Sequence, residues 1–147
     1  MSRAGLRSLP CARRVQLARI LTGVRRLLTA MDAGDLSVLD ELCASHFVVH
    51  FAGSDLDLGQ TKEAARTFYA AFPDLSHRIE DLIAEGDRVA LRTVDEGTHR
   101  GEFEGIRATG KRVAFEVIAI YRIEAGKIAE AWEQIDLDGL RRQLGAG

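Results

Sequence analysis

Two short turn signals, Glu85-Gly86-Asp87 and Ala125-Gly126, each join a pair of strand-like runs and place most of the β-forming sequence late in the chain. Residues 76–84 and 88–98 flank the first; 113–124 and 127–136 flank the second. Glycine adopts the positive φ that tight hairpins need, so each turn predicts an antiparallel pair. The earlier sequence has a different period. Val15, Ala18, Leu21, Leu28 and Met31 fall on one stripe, widened by Ile20, Val24 and Leu27, which predicts a helix over 13–31. Gly34 stops it, and Asp35 caps a second short helix over 35–44. FVVHFA at 47–52 is β-rich, GSDLDLG reads as a loop, and 61–72 is a third helix ended by Pro73. LDGLRRQLG closes the chain as a turn or helix. Helices first and a meander second predict an α+β fold, with the helices on one face of a curved antiparallel sheet.

A chain of 147 residues holds one domain, because two would each be too small for a good core. The net charge of −2 gives no general attraction to nucleic acid or anionic membrane, so neither is expected as a partner. Cys11 and Cys43 match no metal spacing and no disulfide framework, which predicts a reducing, cytoplasmic setting. No apolar run approaches the ~20 residues that span a bilayer. The start is basic (Arg3, Arg7, Arg13, Arg14) and loosely like a transit peptide, but lacks the apolar stretch of a secretory signal. Residues 1–13 are therefore expected as a flexible extension and 14–147 as the domain. No GxSxG or phosphate-binding loop occurs, and the glycines from 97 to 110 do not open a helix.

FPDLSHRIEDLIAEGDRVALR, followed by GTHRGEFEGIRATGKRVAFEVIAIYRIEAGKIAEAW, resembles the SnoaL-like polyketide cyclase family of the nuclear transport factor 2-like superfamily, over roughly residues 14–145. Its most specific pieces are Phe72-Pro73-Asp74, Gly97-Thr98-His99 with Gly101-Glu102-Phe103, Thr109-Gly110, and Gly126-Lys127-Ile128 leading to Trp132. The resemblance implies a cone of strongly curved antiparallel sheet wrapped by about three helices, with an apolar pocket inside. It also implies no metal, no organic cofactor, and a homodimer through the outer sheet face. Family cyclases close rings on polyketide intermediates by intramolecular aldol chemistry, with an acidic residue as general base.

The resemblance carries that catalytic acid onto Glu133, where the family usually has Asp. A carboxylate facing an apolar pocket should have a raised pKa. The polar helpers of the family fall on Val117 and Ala119. Strand alternation sets Val113, Phe115, Val117, Ala119 and Tyr121 on one face, apolar except for the tyrosine hydroxyl. His50 alternates with Val48 and Ala52 and is the second catalytic candidate; Phe51, Tyr69, Phe115, Val117, Ala119 and Tyr121 are the candidate substrate-binding residues. Asp55 and Asp57 are candidates for the pocket rim, or turn residues. His99, in a Gly-flanked bend, has a structural role, and Trp132 and Gln134 face away from Glu133.

The function expected is cyclisation of an apolar, polyketide-like small molecule in natural-product biosynthesis. Two chemistries fit: aldol closure with Glu133 as base, or template-driven cycloaddition, which needs approach of two unsaturated segments more than charge stabilisation. The alternatives are an isomerase or epoxide-opening enzyme on the same scaffold, and a non-catalytic binding or dimerisation domain.

Overall fold

The computed structural model describes residues 10–145. The expected extension at 1–13 lies mostly outside these residues; Cys11–Arg13 already belong to the first helix. The elements run α1 (Cys11–Asp32), α2 (Val38–Leu42), β1 (Cys43–Phe51), β2 (Ser54–Asp57), α3 (Leu58–Ala71), β3 (Ser76–Glu85), β4 (Arg88–Thr98), β5 (Arg112–Glu124), β6 (Lys127–Ile135) and α4 (Leu137–Leu144). The six strands form one open sheet in the order β2-β1-β6-β5-β4-β3.

The fold is α+β, with the two turn-linked hairpins where their glycines place them. Three details depart from the sequence reading. β1 pairs β6 in parallel, so the sheet is mixed rather than wholly antiparallel. The second helix spans only Val38–Leu42, because Cys43 and Ala44 already extend into β1. The 53–59 loop contains β2, which turns back on β1, before α3 begins at Leu58. The turn into β2 has Ala52 and Gly53 at φ 51° and 78°, and backbone pairing offsets the cost at the alanine.

The inner face of the sheet holds two apolar clusters. One packs Leu17, Ile20, Val24 and Leu27 of α1 against Val49, Leu91 and Tyr121. The other gathers Phe72, Phe103, Val113, Phe115 and Leu140 beneath α3 and α4. Register shifts interrupt β3 after Ile79, β6 at Ala129 and β1 after Cys43, and such bulges bend the strands that carry them.

The family-like motifs meet at the end of α3. The Asp74 carboxylate accepts bonds from the Thr98 backbone N–H and hydroxyl, both at 2.7 Å. Gly101 passes so close to α3 that an added Cβ would stand 2.3 Å from the Ala70 carbonyl oxygen. His99 is fully buried; its Nδ1 accepts the Thr109 N–H and meets the Thr109 hydroxyl at 3.0 Å. These residues fasten the β4–β5 connection to α3, a structural role.

Candidate functional site

Two neighbouring rows of residues across the sheet decide which side chains reach the interior. Pairing aligns Phe51 of β1, Glu133 of β6, Ala119 of β5 and Leu91 of β4. The adjacent row holds His50, Trp132, Ile120 and Ala90. Successive strand residues point to opposite faces, so the first row faces inward and the second outward.

Inside lies a cavity of about 150 Å³ lined from every strand and the first three helices. Glu133, Phe51, Tyr69, Phe115, Val117 and Tyr121, all expected there, line it. Two expectations need correction. Ala119 is on the inner face but is buried in the α1 cluster, beside the cavity rather than on its wall. His50 is on the outer face, where it contacts Asp55 at 2.7 Å and Glu130 at 2.8 Å and stacks on Trp132 with ring centroids 5.4 Å apart. Those carboxylates hold the imidazole above its usual pKa. The sequence leaves its face open because Val48 and Ala52 suit either side. Asp55 is thus His50's partner, and Asp57 caps α3 through the Gln60 N–H at 2.8 Å.

Glu133 is a half-buried acid on an apolar wall that includes Val117 and Ile135. Burial pushes its carboxyl up to about 7, the Asp95 carboxylate adds to the rise, and His77 opposes it. A carboxyl near 7 is half ionised at neutral pH, where it can take a proton and give it back. The Cys43 thiol also lines the cavity, but burial pushes it up to about 12, so it is a neutral thiol and not a nucleophile.

A second polar group escaped the sequence reading. Asp95 and Thr93 of β4 and His77 of β3 line the cavity as well. The Thr93 hydroxyl donates to Asp95 Oδ1 at 2.7 Å, and His77 Nε2 stands 3.5 Å from Asp95 Oδ2. On its other side His77 Nδ1 contacts Asp32, the last residue of α1, at 2.5 Å. The signal was present in β4. Val89, Leu91, Thr93 and Asp95 share one parity, so an acid sits on the same face as core aliphatics. Pairing of His77 with Asp95 across β3 and β4 was not legible without the register. Among the described residues, no group of three or more His, Cys, Asp and Glu side chains is placed to hold a metal ion.

The sequence matches the model of the SnoaL-like polyketide cyclases over residues 22–144. The chain belongs to that family. Solved relatives agree in length as well as fold. AclR of Streptomyces galilaeus, named as a candidate hydroxylase, is 29% identical, with a TM-score of 0.82 over 88% of this chain and 97% of its own. IdmH of Streptomyces antibioticus, named as a candidate polyketide cyclase, is 30% identical, with a TM-score of 0.78 over 84% and 96%. TsrD of Streptomyces laurentii is 32% identical, with a TM-score of 0.80 over 88% and 97%. No protein in the curated set matches the sequence. Family membership and these neighbours support a cyclase- or hydroxylase-like role in a polyketide pathway. No described helix is long and apolar enough to cross a membrane.

Proposed function

We propose that this protein closes a ring on an apolar, polyketide-derived substrate, with Glu133 as the general base and without an organic cofactor or metal. The observation that carries the reading is Glu133 itself, a half-buried acid that faces an apolar cavity and is poised near neutrality. Desolvation strengthens a carboxylate toward a C–H proton, because the anion loses water it would otherwise have to shed in the transition state. Phe51, Phe115 and Val117 supply the apolar walls; Tyr69 and Tyr121 place hydroxyls among them.

The cavity volume bears on the substrate. About 150 Å³ lies below the ~300–1,000 Å³ of pockets that enclose drug-sized ligands. A multi-ring substrate would put its reacting segment inside and its remainder past α3, whose Thr61, Ala64 and Ala65 line the cavity.

The experiment uses 5-nitrobenzisoxazole, an apolar ring opened by removal of one C–H proton and monitored by absorbance. Wild type should accelerate its opening, and Glu133→Gln should lose about 10²-fold or more. Equal rates in the two proteins would remove Glu133 from the base role.

A second reading rests on β5. Phe115 and Val117 present no donor to a developing oxyanion, which suits template-driven cycloaddition. On that reading Glu133→Gln changes turnover of the natural substrate little. The reading also extends to a homodimer. Ile83, Ile118 and Ile120 are exposed on the outer face, and Ile83 and Ile120 both flank Ala90 in one row. The protein's mass in solution tests this directly.

A further inference from the structure

Glu133 can remove a proton from carbon, but ring closure by carbonyl addition also places negative charge on an oxygen. Donors for that charge are absent from β5 at Phe115 and Val117. Asp95 and His77 stand on β4 and β3, the other flank of the same cavity.

His77 and Asp95 stand within ion-pair distance, so the two can share one proton. Asp32 engages His77 Nδ1 at 2.5 Å, which sets that nitrogen as a donor and turns Nε2 toward Asp95 Oδ2 at 3.5 Å. Asp95 Oδ1 already accepts from Thr93. A neutral imidazole beside a carboxylic acid and an imidazolium beside a carboxylate both hold one proton between the two groups. Asp95 is 7% and His77 11% exposed, whereas Asp32 is 31% exposed, so the chain runs from the cavity toward solvent. Burial raises the Asp95 carboxyl, while His77 and Thr93 lower it. The other titratable groups on the cavity are Glu133 from β6, Tyr69 from α3, Tyr121 from β5 and Cys43 from β1. The Tyr69 hydroxyl is buried without a hydrogen-bond partner among the described residues, a free donor on the same wall.

We propose that Asp95 and His77 form an oxygen-recognition subsite that donates their shared proton to the acceptor carbonyl oxygen during ring closure. The proposal rests on Glu133 as base. Glu133 takes the α-proton; the freed pair forms the bond from the α-carbon to the carbonyl carbon. The C=O π pair moves onto oxygen, which takes the proton from the Asp95–His77 pair. One proton has then passed from substrate carbon to Glu133 and one from the pair to substrate oxygen, so the product keeps the substrate's composition. Between turnovers Glu133 releases its proton to solvent and the pair takes one up, which restores both groups. The substrate class is an apolar chain carrying an enolisable C–H and a second carbonyl group. Asp95 lies opposite Phe115 and Glu133 opposite Ala119, so the two groups address separate atoms.

The test uses p-cresol and toluene, which differ by one hydroxyl, titrated into wild type, Glu133→Gln, Asp95→Leu and Asp95→Asn. Wild type and Glu133→Gln should bind p-cresol about tenfold or more tighter than toluene. Asp95→Leu should lose that preference with toluene affinity intact, and Asp95→Asn, whose amide still donates, should keep most of it. A preference that survives in Asp95→Leu, or p-cresol and toluene weakened equally there, overturns the subsite. So does a wild type that does not discriminate. Binding here is independent of proton abstraction, so loss of the Glu133 reading in the benzisoxazole assay leaves this result standing on its own.

Discussion

Glu133 on β6 and Asp95 on β4 face one cavity from either side of β5, and the charge of Asp95 helps Glu133 keep its proton. Burial is the larger cause. The folded protein therefore holds the Glu133 proton up to about pH 7, whereas an unfolded chain releases it near 4.5. A folded pKa above the unfolded one gives stability that is complete below about 4.5 and is lost as pH rises through about 7. Glu133→Gln should match wild type at pH 4.5 and exceed it by about 2 kcal/mol at pH 8, after a discount for solvent reached through the cavity. Denaturant unfolding of both proteins at the two pH values measures the difference.

His50 is the control. Its contacts with Asp55, Glu130 and Trp132 lie on the outer face. His50→Ala should leave 5-nitrobenzisoxazole opening within about twofold of wild type, because it removes no group from the cavity. A loss as large as that of Glu133→Gln would place His50 in the site after all.

Val117 lines the cavity and Ala119 does not, so the two respond differently to enlargement. Val117→Trp should fill the cavity and abolish toluene binding while the protein stays folded. Ala119→Phe instead forces a ring into the packed α1 cluster and should cost about 1–3 kcal/mol of stability. Calorimetric titration and thermal unfolding separate the two outcomes.

The connection between β4 and β5 tests the structural role of the family-like motifs. Gly101→Ala meets the Ala70 carbonyl oxygen and should destabilise by about 2–3 kcal/mol. Asp74→Ala, which leaves the Thr98 N–H and hydroxyl unpaired, should cost about 1–2 kcal/mol. Neither should shift the pH dependence of benzisoxazole opening.

What could be read from the sequence followed periodicity and glycine. The hairpins at Gly86 and Gly126, the α1 helix and the inward parity of Phe115, Val117 and Tyr121 are local signals, and the structure repeats them; the α1 stripe itself is rotated, with Leu17 buried and Val15 and Ala18 exposed. The parallel pairing of β1 with β6 is not local, since it depends on how α1 and α2 carry the chain across the sheet. The same pairing sets the face of His50, which is why alternation within β1 could not decide it. The Asp32–His77–Asp95 chain joins three elements, α1, β3 and β4, and none of its members lies on β5, where the polar helpers are expected.

The pH dependence of 5-nitrobenzisoxazole opening tests the base most directly. The rate should rise with a midpoint near 7 and level off above it, as the cavity-facing Glu133 carboxyl ionises, and the rise should vanish in Glu133→Gln. A midpoint near 4.5, or a profile that Glu133→Gln leaves unchanged, would contradict a desolvated carboxylate poised for proton transfer.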